Sequence, residues 1–233
     1  MATTANDNNT TQILISLEGN IGAGKTTLLT AVREQLESNN LIHHFSIQTE
    51  PLREWTNVCG TDLLTAYYRN PYRWAFTLNL HILNTLIERK HSARTNGKPF
   101  ALFERSCGAT KHVFVSYAHS RGYLTDFELS IFNNIWRYSA NDQEVANPPS
   151  SLPSTVTIYL RTPPELCYQR IKQREQRQEE EGSDFSVAWL TQLHLLHDQW
   201  LLPNTPPILI LNGTLPVKEL VTQTITFLKS LMK

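Results

Sequence analysis

The chain has 233 residues, of which 40% are hydrophobic, and its 21 basic and 21 acidic residues leave no net charge. This length and apolar content are enough for one domain with a proper core. The balanced charge creates no global field that would favour nucleic acid or an anionic membrane, so we expect neither as a partner.

The cysteines indicate the cellular compartment of the protein, and the first residues of the chain indicate where its domain begins. The three cysteines are scattered (Cys59, Cys107 and Cys167), with neither a disulfide framework nor a metal-binding spacing. This usage is typical of a reducing compartment and predicts a cytoplasmic protein. No apolar run approaches the roughly 18 residues of a membrane-spanning helix. Residues 1–11 are polar without Lys or Arg, which predicts a disordered tail rather than a signal or transit peptide and leaves residues 12–233 as a single domain.

The first predicted strand, 13–18, runs directly into the phosphate-binding pattern G-x-x-x-x-G-K-T, and a helical pattern follows at once. The glycines let successive N–H groups turn toward phosphate oxygens, and the helix start adds partial positive charge. We therefore predict a nucleoside triphosphate site, with Lys25 at the β- and γ-phosphates and the Thr26 hydroxyl on Mg²⁺. A glycine-rich turn that binds nothing is the alternative, but such turns seldom carry Gly-Lys-Thr here. The predicted ATP-binding loop comprises Gly19, Asn20, Ile21, Gly22, Ala23, Gly24, Lys25, Thr26 and Thr27.

The remaining elements alternate between strands and helices. Further strands are predicted at 45–49, 100–103, 155–160 and 207–211, and helices from 62, at 72–92, 109–120, 126–139, 163–181 and 186–201, and at 217–228. Continuously apolar strands joined by helical crossovers predict an α/β fold with a parallel sheet covered on both faces. Ligands of such sheets bind beyond the carboxyl ends of the strands.

Charged residues follow the second and third strands at this edge. Glu50 comes directly after the second strand, and Glu104 and Arg105 end the third. Together they offer a carboxylate to accept a hydroxyl proton, an oxygen ligand for Mg²⁺ and a cation to position an acceptor. A single such residue is usually a solvated loop side chain, but three at strand ends beside a phosphate loop favour phosphoryl transfer.

A basic helix face and an aromatic set are less specific. Arg170, Arg174 and Arg177 lie at i, i+4 and i+7, followed by a hydrophilic segment that suits a lid over phosphates. A solvated helix with surface ion pairs is an equal alternative. Aromatic side chains at helical spacing are more often core than pocket, but their concentration after Glu50 also suits stacking on a nucleobase. The set comprises Trp55, Tyr67, Tyr68, Trp74, Phe76 and Phe114.

At this point the sequence resembles the deoxynucleoside kinases of animals and their viruses, over nearly all of residues 13–202. The phosphate loop is the most specific carrier of the resemblance. The others are TEP (49–51) with Trp55, DLL (62–64), YRNP (68–71) with WAF (74–76), ERS (104–106), YLRTPPE (159–165), and YQRI (168–171) with LH (193–194).

The resemblance implies a P-loop kinase fold with five parallel strands, a flexible Arg-rich lid, and a homodimer joined through helices. It also implies ATP-dependent phosphorylation of the 5′-hydroxyl of a deoxyribonucleoside, with Mg²⁺. At the reacting end it implies Glu50 as general base, Arg105 beside it at the 5′ end and Glu104 assisting Mg²⁺. It implies that Arg170 and Arg174 contact the nucleotide. On the nucleoside it implies Tyr68 and the lid residue Glu179 (with Glu180 as the alternative) at the 3′-hydroxyl, and Trp55 and Phe114 flanking the nucleobase.

One departure concerns the base. The family carries a glutamine that makes paired hydrogen bonds to the base, and this chain has Asn79 there, whose amide is one methylene shorter. Residues 107–112 also differ from the family pattern. We favour a pyrimidine, with thymidine first.

Two other functions are compatible with a phosphate loop. A nucleoside-monophosphate or other small-molecule P-loop kinase would share the loop, lid and sheet, but its phosphorylated acceptor should require more arginines in the middle third of the chain. A nucleotide-binding switch usually carries Asn-Lys-x-Asp and Asp-x-x-Gly, and neither pattern occurs here.

Overall fold

A computed structural model describes residues 12–141, 155–178, 186–203 and 208–232. Residues 1–11, for which a disordered tail is predicted, and the lid residue Glu179 lie outside the described residues.

The described residues form one sheet whose neighbouring strands all run parallel, in the order β2-β3-β1-β4-β5. The strands are β1 (Ile13–Glu18), β2 (Phe45–Gln48), β3 (Phe100–Glu104), β4 (Thr155–Arg161) and β5 (Ile208–Asn212). The predicted α/β class and parallel five-stranded sheet are confirmed. Because β1 lies at the centre and the order reverses around it, the loop after β1 emerges at the point where open α/β sheets bind ligands.

The helices are α1 (Lys25–Ser38), α2 (Leu52–Thr56), α3 (Leu63–Arg69), α4 (Pro71–Thr95), α5 (Cys107–Ala109), α6 (Ser116–Ser120), α7 (Asp126–Asn141), α8 (Pro164–Gln178), α9 (Val187–Leu201) and α10 (Val217–Ser230). The short α2 was not predicted. A π-helical segment, Thr110–Val115, joins α5 to α6 where the sequence predicts one regular helix. In the described part of the chain, no helix has both the length and the apolar character needed to cross a membrane.

The two faces of β1 pack against different helices, as its continuously apolar sequence requires. All six residues are buried. Ile13, Ile15 and Leu17 belong to the main core, which includes buried residues of α1 and α10, whereas Leu14 packs with Ala93 of α4 on the other face. The alternation of side chains along a strand puts Glu18 on the Leu14 face. A carboxylate is thus placed inside the protein at the end of the central strand.

Close packing fixes the phosphate loop between β1 and α1. Gly19, Gly22 and Gly24 all have positive φ, the region that favours glycine. A Cβ atom on Gly22 would lie 2.5 Å from the carbonyl oxygen of Cys167 and 2.9 Å from Ile171 Cγ1. The loop therefore lies directly against α8, with no room for a side chain at this position.

Replacing Gly22 with alanine should destabilise the fold by both conformational strain and steric clash. Gly60 has a similar φ of +83° but nothing within 4 Å of its would-be Cβ, so Gly60→Ala serves as the control that incurs the strain alone. We expect Gly60→Ala to lower the free energy of unfolding by about 1–2 kcal/mol and Gly22→Ala by about twice that or more. Urea denaturation of the two variants checks this, and equal losses would contradict the packing described for the loop.

Candidate active site

The residues that follow the strands meet at one edge of the sheet, as predicted. Leu17 pairs with Glu104 in the register of β1 and β3, and the backbone N–H of Arg105 donates to the carbonyl oxygen of Leu17 at 3.1 Å. The backbone N–H of Glu50 donates to Glu104 Oε2 at 3.4 Å. Glu50 and the adjacent pair Glu104 and Arg105, which are far apart in the sequence, therefore meet beside the end of β1.

Glu50 and Arg105 form a nearly buried ion pair. Arg105 Nε donates to Glu50 Oε1 at 2.6 Å, and the two side chains are only 4% and 14% exposed. Burial alone would raise the pKa of Glu50, but the positive charges of Arg105 and Lys25 outweigh it and hold this pKa below its usual value. Glu50 is thus an ionised carboxylate at neutral pH, which can accept a proton.

The backbone of Arg105 is strained. Its φ is +67°, a region that non-glycine residues rarely occupy. The hydrogen bond to Leu17 holds the backbone there, and the guanidinium carbon lies 4.7 Å from the centre of the Phe114 ring. Strain of this kind concentrates at functional sites, because the surrounding structure must hold a side chain in one direction.

Lys25 is buried within the loop that it helps to close. Its Nζ donates to the carbonyl oxygens of Gly19 at 3.1 Å and Asn20 at 3.0 Å. Burial and the nearby Arg105 lower the pKa of Lys25 to about 8, although the surrounding glutamates oppose this shift. The ammonium group therefore lies inside the loop, at the position predicted to bind phosphate.

Thr26 and Glu104 provide oxygen atoms suited to a divalent cation. The Thr26 hydroxyl donates to Glu104 Oε1 at 2.6 Å. Hydroxyl and carboxylate oxygens are the ligands that Mg²⁺ prefers, usually together with substrate phosphates and water. No group of three His, Cys, Asp or Glu residues in the described ranges could hold a metal ion on its own. The donor set thus fits a Mg²⁺ ion that takes its other ligands from the substrate.

Other residues predicted for the phosphate loop and the lid interact with groups of the protein itself. The Asn20 side chain is buried, and its Nδ2 donates to the carbonyl oxygen of Leu190 at 2.8 Å. The Arg170 guanidinium donates to the carbonyl oxygens of Ala23 at 2.6 Å and Gly213 at 3.1 Å. Arg174 is exposed, and its charge helps to lower the pKa of Glu50. Arg170 therefore braces the loop in this structure, and its contact with nucleotide stays a prediction.

The predicted nucleoside residues lie on α2, α3, α4 and the π-helical segment. Tyr68 is half-buried, and burial together with the negative charge of Glu50 raises its pKa to about 12. Trp55 is buried, and its Nε1 donates to the Thr85 hydroxyl at 3.0 Å. Asn79 is also buried, and its Nδ2 donates to the carbonyl oxygen of Ala75 at 2.8 Å. Tyr68 thus lies near Glu50, Trp55 ties α2 to α4, and the Asn79 amide is engaged with its own helix.

Sequence reasoning missed Glu18 as part of the site. Its side chain is fully buried, and neither carboxylate oxygen makes a hydrogen bond within the described residues. Burial raises the pKa of Glu18, and the nearby Ser106 side chain and the positive charges of Arg105 and Lys25 only partly oppose the rise. The signal was present in the sequence, since a glutamate ends an otherwise apolar strand directly before the phosphate loop.

The sequence is similar to one protein family and to several known proteins. A family model described as deoxynucleoside kinase matches residues 15–226. A probable deoxycytidine kinase of Fowlpox virus is 30% identical over 204 residues, which cover 85% of this chain and 78% of the viral protein. Human mitochondrial thymidine kinase 2 is 28% identical over 86% of this chain and 70% of its own length. Bovine deoxycytidine kinase is 31% identical over 82% of this chain and 76% of its own length.

Proposed function

The chain belongs to the deoxynucleoside kinase family, and we propose that it transfers the γ-phosphoryl group of ATP to the 5′-hydroxyl of a deoxyribonucleoside, in nucleotide salvage. Family membership makes it a phosphotransferase that acts on nucleosides. The observation that carries the proposal is the ionised Glu50, paired with Arg105 at the carboxyl end of the sheet beside the phosphate loop.

Glu50 is the group that we assign to accept the proton. Arg105 engages Oε1, and Oε2 is the oxygen assigned to the 5′-hydroxyl. As the hydroxyl proton passes to Glu50, a bond forms between the 5′-oxygen and the γ-phosphorus, and the bond from that phosphorus to the β–γ bridging oxygen breaks to release ADP. A carboxylate held ionised by Arg105 and Lys25 is ready for this step at neutral pH.

Positive charge around the transferring group comes from this chain and from a metal. Lys25 lies inside the loop, and Arg174 is close enough to Glu50 to affect its pKa. Thr26 and Glu104 would hold Mg²⁺, which when bound supplies positive charge that neutralises phosphate oxygens. Cations in these positions stabilise the charge that spreads over the phosphoryl oxygens during transfer.

The nucleoside is proposed to lie between α2, α3, α4 and the π-helical segment. Tyr68 is assigned to the 3′-hydroxyl, and Trp55 and Phe114 to the faces of the base, by the resemblance to the family. Asn79 is engaged with its own helix, so its amide reaches less far toward a base than a glutamine would. We propose a pyrimidine substrate with thymidine preferred.

The protein is also proposed to form a homodimer through α4 and α7. A groove between these helices is lined mainly by side chains of α4, together with Ile135 of α7. Ile135 and Tyr138 of α7 are large hydrophobic side chains exposed to solvent. An exposed apolar face of this kind is typical of a protein–protein interface.

A cytoplasmic location is proposed on the cysteines. All three are free: Cys59 is exposed, Cys107 is half-buried and Cys167 is buried. Free thiols persist in reducing compartments, where disulfides are rare.

Glu50→Gln should keep nucleoside binding and lose catalysis, because the amide keeps the size of the side chain but cannot accept the proton. We expect kcat to fall by about 10²- to 10⁴-fold with KM nearly unchanged. Glu54→Gln is the control, since Glu54 is 48% exposed and pairs with Arg89. Steady-state kinetics with ATP measure both variants. An unchanged kcat in Glu50→Gln would remove Glu50 from the mechanism.

A panel of the four deoxynucleosides and thymidine monophosphate tests the substrate. We expect the highest kcat/KM with thymidine and no phosphorylation of the monophosphate, whose turnover would instead favour a nucleoside-monophosphate kinase.

Asn79→Gln should lower KM for the preferred nucleoside by about fivefold, the value of one added hydrogen bond. Asn84→Gln makes the same change on the exposed face of α4, where Asn84 bonds Glu88, and should leave KM as it is. Equal or worse kcat/KM of Asn79→Gln for all four nucleosides would refute the role of Asn79.

Ile135→Glu should dissociate the proposed dimer, because it puts a charge into the apolar groove between α4 and α7. Ile210→Glu is the matched control, since Ile210 is an exposed isoleucine on the edge strand β5. Light scattering coupled to size exclusion gives the mass of each variant. A wild-type monomer, or a dimer that survives Ile135→Glu, contradicts the proposed interface.

A further inference from the structure

The first turn of α9 contacts both halves of the site. Its N-cap is Ser186, whose hydroxyl accepts a hydrogen bond from the backbone N–H of Trp189 at 3.2 Å. One residue later, the carbonyl oxygen of Leu190 accepts the 2.8 Å hydrogen bond from Asn20 Nδ2. Asn20 Oδ1 in turn accepts the backbone N–H of Ile21 at 2.9 Å. Through this buried amide, the phosphate loop and the first turn of α9 are fixed to each other.

The Trp189 side chain, on the same turn, contacts the nucleoside half of the site. Its indole meets the Tyr68 ring edge to face, with centroids 6.4 Å apart and planes at 89°. It meets Tyr117 of α6 in the same way, at 6.3 Å and 72°. Both distances lie in the range where aromatic pairs attract each other with a defined geometry. The indole thus joins α3 to α6 and limits the directions that the Tyr68 ring can take.

We propose that Trp189 is a positioning residue for Tyr68 and that the first turn of α9 couples the nucleoside pocket to the phosphate loop. The inference rests on the proposed function, in which Tyr68 binds the 3′-hydroxyl. Trp189 acts through Tyr68 by holding its ring, and Asn20 acts through Leu190 by holding the turn that carries Trp189. A shift of the phosphate loop is thereby passed to the tyrosine that binds the sugar.

If Trp189 positions Tyr68, it must affect how the enzyme discriminates between substrates with and without a 3′-hydroxyl. The ratio of kcat/KM for a 2′-deoxynucleoside to kcat/KM for its 2′,3′-dideoxy counterpart measures how strongly the enzyme uses the 3′-hydroxyl. A residue that positions Tyr68 must affect this 3′-hydroxyl ratio. A residue that merely stabilises the fold would lower kcat/KM for both substrates and leave the ratio unchanged.

Trp189→Leu should lower the 3′-hydroxyl ratio by about three- to tenfold, the factor that an aromatic pair contributes, through the deoxynucleoside alone. Tyr68→Phe should lower it as well, and adding Trp189→Leu to Tyr68→Phe should have no further effect on it. Trp200→Leu is the matched control on α9, because Trp200 stacks on His112 at 5.2 Å instead. An unchanged ratio in Trp189→Leu, or equal falls in Trp189→Leu and Trp200→Leu, overturns the proposal.

Two further variants test the same connection from other elements. Tyr117→Leu removes the second tyrosine that holds the indole and should also lower the 3′-hydroxyl ratio, so it decides the matter if Trp189→Leu does not fold. Asn20→Ala should raise KM for ATP and lower the 3′-hydroxyl ratio together. A raised KM for ATP with the ratio unchanged would show that Asn20 acts on the phosphate loop alone and would overturn the coupling.

Failure of the proposed function is seen separately, in the wild-type enzyme. If the wild type phosphorylates no deoxynucleoside, or uses deoxy and dideoxy substrates equally well, the role given to Tyr68 is wrong and the inference falls with it. If the wild type discriminates and Tyr68→Phe removes the discrimination, the proposed function stands. The result with Trp189→Leu then bears on the inference alone.

Discussion

The ion pair between Glu50 and Arg105 is the interaction on which the rest of the site depends. Two nearly buried charges at 2.6 Å are favourable only when the geometry is fixed, because each has lost its hydration. The fold fixes it by holding Arg105 at a φ of +67° through Leu17 and by placing the Phe114 ring beside the guanidinium. The strained backbone is thus the local cost of a carboxylate that stays ionised beside the phosphate loop.

The phosphate loop is held in shape largely by cations that bond to its own carbonyl oxygens. Lys25 bonds to Gly19 and Asn20 from within, and Arg170 bonds to Ala23 from α8. These bonds satisfy buried carbonyl groups, and they keep positive charge where phosphate oxygens are expected to bind. The same groups can therefore serve both the structure of the loop and the binding of its ligand.

Helix α9 connects the phosphate loop to α3 at the edge of the sheet. The main core includes β1, α1 and α10, whereas the residues proposed to bind the nucleoside lie on α2, α3, α4 and the π-helical segment. The buried Asn20–Leu190 bond and the Trp189–Tyr68 contact join these two regions through one helical turn. Buried polar contacts of this kind specify a unique arrangement because an unpaired amide would be costly.

The sequence alone determined the parallel α/β sheet, the phosphate loop, and the positions of Glu50, Glu104 and Arg105 at strand ends, since these follow from local patterns and from the common edge of parallel strands. Only the tertiary structure decided the contacts that depend on packing between distant segments. These are the left-handed backbone of Arg105, the π-helical segment at Thr110–Val115, the burial of Glu18 and the placing of Trp189 on Tyr68. A local pattern carries no information about which side chains approach from elsewhere in the chain. Contacts between distant segments are the reason why Asn20 bonds to α9 and Arg170 bonds to the phosphate loop.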